Sequence, residues 1–215
     1  MKIKIGSILL IAAGLFLLFY PKLTEMLENS QQLKLAQEWQ SSFQNIDMHD
    51  DAADSSKETH QVRYDAFSVP QVKPLAAAAS AAEGKVEGML EIDRIGLKLP
   101  ILYGATKQNM KTTLASIENT GMPGKIGNYA IAGHRNRTYG RNFNRLDELQ
   151  TGDKIEVETG SWRFEYTVTE KLIVKPEDVW VLESDGKDEE ITLVTCHPMV
   201  NPTHRLIIKG KIIHQ

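Results

Sequence analysis

From Ile5 to Tyr20 the chain reads IGSILLIAAGLFLLFY, a run with no charged side chain and no alternation of apolar and polar positions. As a helix it is about 24 Å long at ~1.5 Å per residue, a little short of a hydrocarbon core of about 30 Å. Ile3 and a snorkelling Lys4 extend it, and Tyr20 suits a membrane interface. Residues 1–21 are therefore expected to form an N-terminal transmembrane signal-anchor. A cleaved signal peptide is the competing assignment, but Phe19, Tyr20 and Pro21 stand where small cleavage-site residues belong. Lys2, Lys4 and the terminal amine precede the run, while Lys22 is soon joined by Glu25 and Glu28. The positive-inside rule then places the N-terminus in the cytoplasm and everything after Tyr20 outside, on a single-pass protein of the cell membrane.

The pattern changes at Lys22. Residues 22–45 are rich in helix formers, with no internal Gly or Pro, and Leu23, Met26, Leu27, Leu33, Leu35 and Trp39 make an imperfect stripe. A helical stalk is expected. Residues 46–84 turn acidic and polar (DMHDDAADSSKETH), then low in complexity (LAAAASAAEG), as a flexible linker does. Residues 22–84 are thus read as stalk and linker.

Beyond residue 85 the period becomes two. Trp162, Phe164, Tyr166 and Val168 alternate with Arg163, Glu165 and Thr167, the signature of a half-buried strand. DKIEVET precedes it across a Thr159–Gly160–Ser161 turn, which makes a hairpin. EITLVTC and RLIIKGKII are β-branched runs, and GMLEIDRI, LKLPILYG and GNYAIAGH supply further strands. Short helices are expected at Lys107–Leu114, Asn142–Leu149 and Pro176–Leu182. Seven or eight short strands with few helices predict an all-β domain over 85–215, closed or nearly closed into a barrel.

Composition changes this picture little. The chain of 215 residues is 41% hydrophobic and 25% charged, which excludes wholesale disorder. Its net charge of −3 lies entirely in the first 84 residues, with 7 basic and 10 acidic side chains, against 18 of each in 85–215. Nothing in this balance or in the motifs points to nucleic acid.

The single cysteine matters more. Cys196 excludes an intramolecular disulfide and any multi-cysteine zinc site. It leaves an inert buried thiol, an intermolecular bridge or a reactive thiol. Outside the cell a free thiol is open to oxidation. EITLVTC ends at Cys196 and RLIIKGKII begins at Arg205, and the eight residues between contain two prolines that stop a strand. As antiparallel neighbours, the two strands bring Cys196 and Arg205 face to face across the loop mouth. A guanidinium there favours thiolate and can donate to an oxyanion; the bland alternative for Arg205 is a surface ion pair of little worth. Four histidines of the domain are candidates for an acid or base. His214 is penultimate, His197 adjoins Cys196 but alternates to the other face, and His204 adjoins Arg205. His134 ends the apolar strand NYAIAGH, after a glycine, at the rim of the expected barrel. Each taken alone has a surface or capping role as its alternative; the combination of strand-end His, strand-end Cys and strand-start Arg is what points to catalysis.

AIAGHR (Ala130–Arg135), TLVTC (Thr192–Cys196) and Arg205 nine residues on resemble the signature of the sortases, and the resemblance extends over GMLEIDRIGLKLPIL and GMPGKIGNYAIAGH. It implies an eight-stranded β-barrel and a cysteine transpeptidase with no cofactor and no metal ligands placed here. It further implies that Cys196 attacks the threonine carbonyl of a Leu-Pro-x-Thr-Gly-like motif near the C-terminus of a secreted protein. Arg205 would hold substrate and oxyanion, and His134 would protonate the leaving amine and deprotonate the incoming one. The acceptor would be a lipid-linked amine of a peptidoglycan precursor, at the surface of a Gram-positive type of cell. AGHR leans toward the class D or E branch, where Leu-Pro-x-Thr-Ala is an alternative motif. The lack of an Asp-Pro lid in 46–84 and of a C-terminal span favours wall anchoring over pilus assembly.

Less specific expectations complete the site. Thr195 orients substrate or is a plain strand residue. Val179, Trp180 and Leu182, with Val181, line the motif groove or pack a short helix onto the barrel. Arg135, Arg137, Arg141 and Arg145 form a solvated face, with a phosphate-binding patch as the alternative. Other cysteine enzymes fit poorly: papain-like peptidases place Cys before His, and caspases and L,D-transpeptidases want other residues before the sulfur. A rival of a different class is a membrane-tethered β-barrel binding module without chemistry, which would tolerate loss of Cys196.

Overall fold

In the computed structural model, backbone is described for residues 2–47 and 84–214 apart from residue 161, and in the first helix side chains are described for 13–20 and 22–41. Most of the expected linker lies outside the described residues. The elements are α1 (Lys2–Asp47), β1 (Val86–Ile92), β2 (Leu97–Tyr103), α2 (Lys107–Thr112), β3 (Leu114–Ser116), β4 (Gly127–Ala132), β5 (Lys154–Thr159), β6 (Trp162–Val174), β7 (Glu189–His197) and β8 (His204–Lys211).

The eight strands close into a barrel in the order β1-β2-β3-β4-β7-β8-β6-β5. Two neighbouring pairs are parallel, β2 with β3 and β4 with β7; the others are antiparallel. Closure leaves no sheet edge unpaired. Alternation then sorts the side chains. Tyr129 and Ile131 of β4, Tyr166 and Val168 of β6, Ile191 and Leu193 of β7, and Leu206 and Ile208 of β8 fill the interior. Trp162 shares the inward phase of β6 but is 70% exposed, because it lies at the strand's first residue, at the barrel mouth.

Three expected helices are shorter than their sequences suggested. α2 is capped by the Thr106 hydroxyl, which accepts from Asn109 N at 3.2 Å, and it stops at Thr112. Leu114 belongs instead to β3, fully buried in the core. The segments around Leu146–Glu148 and Val179–Leu182 are single 3₁₀ turns. The expected stalk is part of α1, and it touches the barrel. Gln32, 8% exposed, donates from Nε2 to Thr112 O at 2.8 Å and to Asn142 Oδ1 at 3.1 Å, and Glu28 pairs with Arg141. Among the described residues no helix is long and apolar enough to cross a membrane. The side chains of residues 2–12, within the expected span, lie outside that description.

Candidate active site

The alternation that fills the barrel also sets its outer face. With Tyr129 and Ile131 inward, Asn128, Ala130 and Ala132 are the outward positions of β4, and His134 follows two residues past its end. On β7 the outward series is Thr192, Val194 and Cys196; on β8 it includes Arg205 and Ile207. β7 and β8 pair antiparallel with Cys196 directly opposite Arg205, as expected. β4 and β7 pair in parallel, Ala130 with Thr192 and Ala132 with Val194. Two places further on, the same register brings His134 level with Cys196. Thiol and guanidinium therefore stand on adjacent strands at one end of the barrel, and His134 lies two residues past the end of β4, beside the strand that carries sulfur.

Local packing fixes this corner. A Cβ on Gly133 would come within 2.6 Å of Leu114 Cδ2 and 2.7 Å of Phe143 Cδ2, so the chain entering His134 lies directly on the core. Gly133 N donates to Val194 O at 3.1 Å, and Phe143 N donates to His134 O at 3.0 Å. Cys196 is half-buried and unbridged. Arg205 donates from Nη1 to His204 O at 3.0 Å, and among the described residues no carboxylate pairs with it. The other three histidines of the domain are engaged: His197 Nδ1 with Arg135, His204 Nδ1 with Thr203 Oγ1 at 2.8 Å, and His214 Nε2 with Glu189 at 2.9 Å. His134 is exposed, and its ring makes no hydrogen bond among the described residues. Of the four candidates it alone combines an exposed side chain with a ring free of hydrogen bonds among the described residues.

At the other end of β4, where Gly127 and Asn128 begin the strand, a cavity of about 450 Å³ is lined by Ile117, Thr120, Asn128, Val179 and Leu182, among others. Asn128 organises it. Its amide donates to Val181 O at 3.3 Å and Glu183 O at 3.2 Å, and its Oδ1 accepts from Thr192 Oγ1 at 2.7 Å. The β6–β7 connection is thereby fastened over the strand face. Val179 and Leu182 line this cavity; Trp180, half exposed, is not among its lining residues, and Val181 is buried.

Two expectations are corrected. Thr195 is 2% exposed and turned inward, donating from Oγ1 to Gly133 O at 2.8 Å. Adjacent to an outward Cys196, it must face the interior, so it braces the His134 segment from below and is not placed to meet a substrate on the outer face. The four arginines are not a solvated face. Arg141 is buried against Glu28, Arg135 reaches Asp147, and Arg145 forks onto Glu148, donates to Ile95 O and lies 4.8 Å from the Tyr139 ring centroid. Only Arg137 lies exposed without an ion pair among the described residues, which leaves little for a phosphate patch. The importance of Asn128 was not foreseen. GNYAIAGH marks it only as a polar residue at a strand start, and its partners come from a distant loop.

The sortase domain family profile matches residues 90–213. Sortase A of Bacillus anthracis is 35% identical over 159 residues, covering 73% of this chain and 74% of its own length. Sortase D of Bacillus subtilis is 29% identical over 131 residues, covering 60% of this chain and 64% of its own length. A Clostridium perfringens sortase D5 transpeptidase superposes with a TM-score of 0.57 at 31% identity, over 65% of this chain and 89% of that one. A sortase C from the same species, solved with a C-terminal cell wall sorting motif, gives 0.58 at 28% identity over 62% of this chain and 73% of that one. The barrel, its cysteine corner and these likenesses define the class: the chain belongs to the sortase family. Sortases are cysteine transpeptidases, so a binding barrel without chemistry is set aside.

Proposed function

We propose that this transpeptidase cleaves a sorting motif of the Leu-Pro-x-Thr-Gly type, Leu-Pro-x-Thr-Ala included, after its threonine, and transfers the threonyl end to an amine of a peptidoglycan precursor. One observation carries the proposal: Cys196 on β7 stands directly opposite Arg205 on β8, and the segment that carries His134 leaves β4 beside β7, with Gly133 N bonded to Val194 O. From Asn128, which lines the cavity, to His134 the chain extends about 20 Å at ~3.3 Å per residue. The four residues from Leu to Thr, extended, span about 13 Å by the same measure, which suits a threonine carbonyl at Cys196 with the leucine end toward the Val179–Leu182 wall.

The chemistry follows from the three groups. Cys196 sulfur, as thiolate, adds to the threonine carbonyl carbon, and the carbonyl π pair moves onto oxygen. The Arg205 guanidinium donates to that oxyanion. Collapse re-forms the C=O and breaks the C–N bond to the next residue, whose amine leaves with a proton from His134. The product is a thioacyl enzyme. An incoming amine then attacks the thioester, loses its proton to His134, and expels the sulfur.

Anchoring in the cell membrane through the N-terminal helix, with the barrel outside a Gram-positive type of cell, completes the proposal. It is supported by the uncharged run from Ile5 to Tyr20 and by the exposure of Leu15, Phe16, Leu17, Leu18, Phe19 and Tyr20, all more than half accessible. Large apolar side chains left this accessible suit a lipid surround. The test uses the full chain in detergent micelles with peptides varied after the threonine. Release of the C-terminal fragment, and a hydroxamate on addition of hydroxylamine, are expected from wild type and absent from Cys196→Ala. Cleavage that persists in Cys196→Ala would overturn the assignment.

A further inference from the structure

His134 and Cys196 are each followed by a residue that turns to the inner side of the barrel rim: Arg135 and His197. Extended past Ala132 and Val194, the parallel register of β4 and β7 sets His134 level with Cys196 and this second pair level one place further on. The two meet. Arg135 Nη1 donates to His197 Nδ1 at 2.8 Å, which puts the His197 proton on Nε2. Arg135 Nη2 pairs with Asp147 Oδ2 at 2.8 Å, and the arginine side chain is only 5% exposed. Asp147 lies in the 3₁₀ turn Leu146–Glu148, whose Leu146 is fully buried in the core. The backbone of Arg135 also bridges Asn142. β4 itself ends at Ala132, so no ladder holds His134 to β7 beyond Gly133. Side chains take over: Thr195 bonds Gly133 before His134, and Arg135 bonds His197 after it.

We propose that Arg135 is a positioning residue, a buckle that joins the His134 segment to the residue after Cys196 and sets the distance between imidazole and sulfur. Its rigid fork is suited to two partners at once; a lysine ammonium is not pre-organised to bridge them. His197 is the receiving half of the buckle, and its ring is committed there rather than to substrate. The proposal rests on His134 acting as acid and base in the reaction above.

The experiment compares Arg135→Ala, His197→Leu and His197→Asn in the full chain, on wild-type and His134→Ala backgrounds. Two readouts are taken. One is kcat and KM for the sorting peptide; the other is the rate of iodoacetamide alkylation at neutral pH, which reports Cys196 alone because the chain has one cysteine. Arg135→Ala and His197→Leu are expected to lower kcat about tenfold or more with KM within about twofold, since a small misplacement of a catalytic group costs rate rather than binding. His197→Asn should restore most of it, because the Asn Oδ1 can accept where Nδ1 did. In the His134→Ala background both losses, and any change in alkylation rate, should largely vanish, as expected of residues that act as one unit. Equal losses with and without His134, or no rescue by His197→Asn, would overturn the buckle. If Arg135→Ala does not fold, the His197 pair carries the same comparison. A wild type that forms no thioacyl adduct defeats the parent reaction; a wild type that forms one, with additive losses, defeats only the buckle.

Discussion

Gly133, His134 and Arg135 are consecutive, and each meets something different: the core, solvent and His197. The consequences of changing them separate accordingly. His134→Ala should slow peptide cleavage by at least about 10², the range for general acid–base groups, without loss of fold. An unchanged steady-state rate would remove His134 from the mechanism. Gly133→Ala would push a methyl into Leu114 and Phe143 and is expected to cost about 1–3 kcal/mol, measured by urea unfolding; an unchanged midpoint would show that this corner can relax. The Cys196–Arg205 pairing was legible in the sequence, because a proline-bounded loop between two β-branched runs dictates a hairpin and its period fixes the facing. The place of His134 came from a strand end and a family resemblance. Arg135–His197 was not legible. It depends on β4 lying parallel beside β7, strands far apart in sequence, and no local pattern encodes that pairing.

Among the elements, α1 shows most clearly what periodicity misses. Its apolar stripe looked imperfect, and the reason lies in how it docks. Leu23, Met26, Leu27 and Leu33 all remain more than half exposed and only Leu35 and Trp39 of the stripe are half-buried, while the one buried side chain among the described residues of α1 is polar: Gln32 reaches Thr112 and Asn142, with Glu28 on Arg141. A hydrophobic pattern cannot report a contact of this kind. Gln32→Leu would bury an apolar side chain and leave Asn142 Oδ1 and Thr112 O without that donor, at a cost of about 1–3 kcal/mol for unmet buried groups. Faster amide hydrogen exchange over residues 22–41, with β4, β7 and β8 unchanged, is the expected result. Unaltered protection of α1 would mean that Gln32 does not hold it. The shortened helices have a similar cause. Leu114 and Leu146 are claimed by the barrel core, and tertiary burial outweighs the modest helical propensity of the residues around them.

For the molecule as a whole, closure into a barrel places a carboxyl and two phenols where water is scarce. Burial pushes Glu87 above the usual carboxylate range, against the lowering effect of hydrogen bonds from Ser116 and Tyr129. Folded Glu87 thus keeps its proton to a higher pH than the unfolded chain does, so its contribution is full below about pH 4.3 and is lost as pH rises through its folded value. Glu87→Gln should therefore raise Tm at neutral pH and leave it nearly unchanged near pH 4; equal effects at both would contradict this. Burial likewise pushes Tyr166 up to about 12, although Gly124 N donates to its oxygen at 2.8 Å. Its share of stability should hold to about pH 10, the unperturbed value for tyrosine, and fall away above it. The barrel end that carries sulfur is the part on which function depends, and it can be interrogated at a single atom. The full chain is incubated with a Leu-Pro-x-Thr-Gly peptide and quenched in acid, and the intact mass and the modified residue are read by mass spectrometry. The account predicts one adduct, of the mass of the acyl fragment ending in threonine, on Cys196. Turnover of the peptide with Cys196 unmodified at every time point, or acylation at another residue, would contradict it.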